Sequence, residues 1–168
     1  MLGFYDNFPV NIHRTEKFTF ALSNRALQQK LVQVFREINT KTFSFDEIVH
    51  PTLPDSTIIF EMGLAEGNSF NYIDRKETKK VCSALRKDAL RMIDLFCAIR
   101  YYKGNVEKKT PLRFDYYMIR MAFSGNTVEI QVFHERGPRY LSPEDITSFL
   151  VNETNKTSER KTLLVSES

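Results

Sequence analysis

The sequence predicts one α+β domain, an antiparallel sheet of about five strands covered by helices. Three observations predict it. Gly125-Asn126 sits at the centre of an alternating run from Leu112 to Glu135, and a two-residue loop there supplies the positive φ of a primed hairpin turn. Counting outward pairs Ser124 with Thr127, Phe123 with Val128, Met121 with Ile130, Ile119 with Val132 and Tyr117 with His134. Every apolar residue of the second strand then meets an apolar partner, and a slip of one residue would destroy the match. Second, segments of period two and period 3.6 follow one another along the chain. Third, 168 residues with 42% hydrophobic and 27% charged content are enough for one globular core and too polar for a membrane bundle.

The elements follow in order. Ile12 to Leu22 ends in alternation, with Phe18, Phe20 and Leu22 on one side, and reads as a half-buried strand. Ser23 is a candidate N-cap for a helix carrying Leu27, Leu31, Val34, Phe35 and Ile38, ending near Asn39. Thr40 to Ser56 is irregular, with Phe43 and Phe45 as a short edge strand. Thr57 to Ala65 is a strand with Ile58, Phe60, Met62 and Leu64 on one face, turned at Glu66-Gly67-Asn68 into a shorter one with Phe70 and Tyr72. Glu77 to Tyr102 reads as one long apolar helix through Val81, Leu85, Ala89, Met92, Ile93, Phe96 and Ile99. A polar loop from Lys103 to Thr110 leads to the hairpin. Ser142-Pro143-Glu144-Asp145 then opens a last helix with Ile146, Phe149 and Leu150. Residues 1–151 are the expected domain, and 152–168 a polar, disordered tail.

The order β-α-β-β-α-β matches a ferredoxin-like core with an added β-α, and the alternative is a helix-grip arrangement wrapped around the helix from 77 to 102. On that helix Cys82 and Cys97 would lie about 22 Å apart, too far for a disulfide. They read as buried hydrophobes in a reducing compartment. The N-terminus lacks the pattern of a signal peptide, and no apolar run spans a bilayer, so a cytoplasmic protein with no membrane partner is expected.

Chemistry-bearing patterns are sparse. No nucleotide-binding loop or nucleophile elbow occurs, and His13, His50 and His134 match no common metal spacing, so no metal and no cofactor is expected. Lys76, Lys80, Lys87 and Arg91 fall in one sector of the long helix, joined by Lys103, Lys108 and Lys109 of the loop. They are the candidate polyanion footprint, and the plainer account is the wet side of a helix. Arg136 and Arg139 flank Gly137-Pro138 just before a helix N-terminus, where anions bind, although Glu144 and Asp145 already face that dipole. The expected function is a binding or interaction module for RNA, another polyanion or a protein. The alternative is an enzyme or enzyme subunit with a site assembled from the 40–56 loop, with Asp46, Glu47, His50 and Asp55, and the 134–140 segment. A homodimer through a sheet edge or face is also expected, because Met118 faces Phe133 on the hairpin's outer side.

Overall fold

A computed structural model describes residues 1–48, 56–103, 113–156 and 161–166. Its centre is the hairpin of β6 (Arg113–Ser124) and β7 (Thr127–Arg136), in the register that the alternation requires from Ser124↔Thr127 to Tyr117↔His134. Gly125 takes the turn with φ 58°. Around it lie β1 (Arg14–Thr19), α1 (Asn24–Thr40), β2 (Thr42–Ser44), β3 (Ser56–Glu66), β4 (Ser69–Tyr72), α2 (Arg75–Lys87), β5 (Met92–Lys103), α3 (Pro143–Lys156) and β8 (Leu164–Val165). The strands form one open antiparallel sheet of eight, in the order β2-β3-β5-β6-β7-β1-β8, with β4 paired to the far end of β3.

One face of the sheet is covered by helices. Ile58, Phe60, Met62 and Leu64 of β3 all point to it and are buried. The apolar stripe of α1 packs there, started by Ser23 Oγ accepting from Ala26 N. Phe149 of α3 stacks on Phe60 with ring centres 4.6 Å apart. Two buried amides fix α1 to its neighbours. Gln28 donates to Leu90 O and accepts from Leu90 N, both at 2.8 Å. Asn39 accepts from Met62 N at 2.7 Å and donates to Met62 O at 2.9 Å, satisfying the edge of β3 between β2 and β4.

Three expectations change. The helix begun at Asp74 stops at Lys87, and residues 92–103 are the strand β5, paired with both β3 and β6. Ile93, Leu95, Cys97, Ile99 and Tyr101 are its inner, buried positions. Phe96, Ala98 and Tyr102 make the outer positions apolar too, so the period of two is masked and a helix fits the pattern equally well. With this central strand in place the ferredoxin-like order fails: β1 pairs with β7, and the sheet has eight strands. Nor is there a helix from 77 to 102 for a sheet to grip. Cys82 therefore lies on α2 and Cys97 on β5; both are free and buried, and burial raises both thiol pKa values.

The chain past Asn152, expected to be disordered, is helical to Lys156. Further on Leu163 is buried and β8 pairs with β1. Asp46 and Glu47 sit on an exposed 3₁₀ turn, while His50, Asp55, Lys108 and Lys109 lie outside the described residues. Among the described residues no helix is long and apolar enough to cross a membrane.

Candidate functional site

Among the described residues no helix covers the second face of the sheet, and its side chains form the candidate site. Asp94 points to this face from β5 and is fully buried, so its charge needs a partner. Arg120 stands directly opposite on β6, and its Nε and Nη2 donate to the two carboxylate oxygens at 2.7 and 2.8 Å. Tyr5 N donates to the same carboxylate at 2.7 Å. The rings of Phe8 and Phe4 lie 4.4 and 5.1 Å from the guanidinium. Gly3 bridges β3 and β5, donating to Ala65 O and accepting from Asp94 N. Thus the N-terminal segment is bound over the hairpin-tip half of the face.

The other half is a run of rings. Tyr5 packs on Phe70 of β4 at 4.7 Å, Phe70 on Phe96 of β5 at 5.6 Å, and Phe96 on Tyr116 of β6 at 5.8 Å. Phe114 lies beside Tyr116, nearly parallel at 6.3 Å. Phe114 is 40% exposed, so solvent reaches that end of the run. Tyr72, two residues from Phe70 on β4, is 49% exposed, and its hydroxyl donates to Asn39 O at 3.3 Å. At the β4 end, Phe70 and Tyr72 line a hollow of about 620 Å³ with Lys76 and Lys80. At the β7 end, the guanidinium of Arg136 lies 4.4 Å from the centre of the Tyr116 ring. A bulge places it there. The register shifts between Tyr116 and Tyr117, so Arg136 faces Tyr116 where an unbroken ladder would place Glu135. Glu61, Ala98, Tyr116 and Arg136 consequently form one cross-strand row on the outer face.

Residues 134–140 are organised from within. Asp115 is fully buried on β6 and accepts from Arg139 N at 2.7 Å, Tyr140 N at 3.0 Å and Tyr101 Oη at 2.7 Å. It also shares a 2.8 Å hydrogen bond with His134 Nε2. Tyr117 Oη donates to Leu141 O, and burial raises the pKa of both tyrosines. The backbone donors that would cradle an anion here already hold an internal carboxylate. With four partners, the carboxylate's acceptor positions are taken up within the chain. Ser142 and Asp145 cap each other at the start of α3, at 2.9 and 3.0 Å.

The cations named from the sequence separate into two groups. Lys76 and Lys80 start α2 beside the ring run, and Lys80 pairs with Glu66 at 2.5 Å and Glu77 at 3.2 Å. Lys87 is in the last turn, about 16 Å along the axis from Lys76. Arg91 lies beyond the helix, lining an apolar hollow with Met1, Leu2 and Phe4. Arg136 joins the ring run, whereas Arg139 is exposed at φ 60° and contributes its backbone N–H to Asp115. The Met118–Phe133 pair is covered within one chain: Met118 is 9% exposed and His13 stacks on Phe133 at 4.7 Å.

Asp94, Arg120 and Asp115 are residues that sequence reading missed, and their signal is a charge set inside an apolar strand. Among the described residues no group of three or more His, Cys, Asp or Glu is placed to hold a metal. No protein-family model, curated protein or solved structure matches the chain.

Proposed function

We propose that the protein is a non-catalytic module that binds single-stranded nucleic acid, RNA in the first place, across the helix-free face of its sheet. The observation that carries this reading is the run of rings from Phe70 through Phe96 and Tyr116 to Phe114, with Arg136 stacked at its end. Bases stack on aromatic rings and guanidinium planes whatever their sequence, at about 1–3 kcal/mol per base. From β4 to β7 the run crosses about 19 Å of sheet, enough for two or three bases. Cations stand at both ends, Lys76 at one and Arg136 at the other, where a phosphate backbone would pass.

The test is fluorescence anisotropy with a labelled heptaribonucleotide at low and moderate salt. Binding should weaken as salt rises, and Tyr116→Ala should lower the affinity about tenfold. No binding at low salt, or full binding by Tyr116→Ala, would overturn the reading.

A further inference from the structure

The geometry points to guanine as the base preferred by this face, read by Glu61 and Arg100; the inference rests on the nucleic-acid reading above. Glu61 and Tyr116 stand two strands apart with Ala98 between them. The two strands are about 10 Å apart, and Ala98 between them carries only a methyl group and is partly exposed. A base set over Ala98, on the side of Tyr116 away from Arg136, would meet Glu61 and Arg100 with its edge.

Those two side chains are already oriented. Arg100 Nη2 donates to Glu61 Oε1 at 2.6 Å, and Arg100 Nη1 donates to Tyr102 Oη at 3.1 Å. Both remain open to a ligand, with 44% of the Glu61 side chain and 32% of the Arg100 side chain exposed. A carboxylate only accepts hydrogen bonds and a guanidinium only donates them. The Watson–Crick edge of guanine offers one acceptor, O6, beside two donors, N1–H and the 2-amino group. Guanine can thus make three bonds, two to Glu61 and one to Arg100. Adenine, cytosine and uracil each present a single donor position on that edge, and so leave one carboxylate oxygen facing an acceptor or nothing. A good bidentate contact of this kind is worth about tenfold or more in discrimination.

The experiment compares labelled UUUGUUU, UUUAUUU and UUUIUUU, where I is inosine, which keeps N1–H and lacks the 2-amino group. The guanine oligonucleotide should bind about tenfold tighter than the adenine one, with inosine losing most of that advantage. Glu61→Gln, at a half-exposed position, should bring the guanine-to-adenine ratio to within about twofold. Equal binding of guanine and adenine, or a ratio that survives Glu61→Gln, overturns the inference and leaves the nucleic-acid reading standing. Failure of every oligonucleotide to bind removes both.

Discussion

Asp94 and Arg120, directly opposed on neighbouring strands, form a two-pronged ion pair that also anchors the chain's first residues. The Asp94 side chain is wholly buried and that of Arg120 only 17% exposed. Breaking such a pair leaves an uncompensated charge out of water, at a cost of about 3–5 kcal/mol. Arg120→Met should therefore lower stability in urea denaturation by that amount. Replacing both partners, as Asp94→Leu with Arg120→Met, should recover part of it, because no charge is then stranded. A double variant no more stable than the single one would show that the anchoring of the N-terminal segment, rather than charge burial, dominates.

The turn after β7 depends on Asp115 and Gly137 together. Gly137 has φ 114°, and a Cβ there would strike the Phe114 carbonyl and the Asp115 carboxylate. Gly137→Ala should cost about 1–3 kcal/mol or more. Asp115→Ala should cost at least about 2 kcal/mol, since it strands two backbone N–H groups and the Tyr101 hydroxyl. Thermal melts of both variants check this, and an unchanged melting temperature for Asp115→Ala would refute the clasp.

Lys80 and Glu66 give a small pH dependence with a defined sign. The Lys80 hydrogen bond is the largest cause of the lowered Glu66 pKa, and the bond to Glu66 of the raised Lys80 pKa. The carboxylate's share of stability is full above an ordinary glutamate pKa and is lost as pH falls through the lowered folded value. The ammonium's share is full below an ordinary lysine pKa and is lost as pH rises through the raised one. Both side chains are nearly half exposed, so the pair contributes below about 1 kcal/mol. Lys80→Ala should be less stable than the parent at neutral pH by no more than this, and the gap should close as pH falls through the lowered Glu66 value. Equal urea midpoints at neutral pH, or a gap that persists in acid, would contradict the pair's role.

How much the sequence reveals depends on how local the information is. The β6–β7 register is legible because a Gly-Asn turn and a strict alternation agree, and Ser23 and Ser142 mark helix starts by their own hydrogen bonds. β5 is illegible because its outer residues Phe96, Ala98 and Tyr102 are apolar for a reason found elsewhere in the chain. They belong to a face that the N-terminal residues and β4 help to build. The site is non-local throughout. Phe70, Phe96, Tyr116 and Arg136 come from four strands, and Arg136 faces inward to the ring run only because of a bulge that no spacing rule announces.

The division of the cations between the sheet face and the helix yields a sharper test than charge alone. If the ring run is the binding surface, phosphates pass near Lys76 and Arg136. Removing either cation should reduce the slope of log affinity against log salt by about 0.7 for each phosphate no longer neutralised. Lys80 shares its charge with Glu66 and Glu77, so Lys80→Ala should change the slope less than Lys76→Ala. Lys87 and Arg91 lie at the far end of α2 and beyond it, and neither lines the hollow beside Phe70, so Lys87→Ala and Arg91→Ala should leave the slope as it is. Salt titrations of these five variants decide between two surfaces on one molecule. Slopes that fall for Lys87 and Arg91 but hold for Arg136 would move the ligand from the sheet to the helix, and the aromatic face would lose its role.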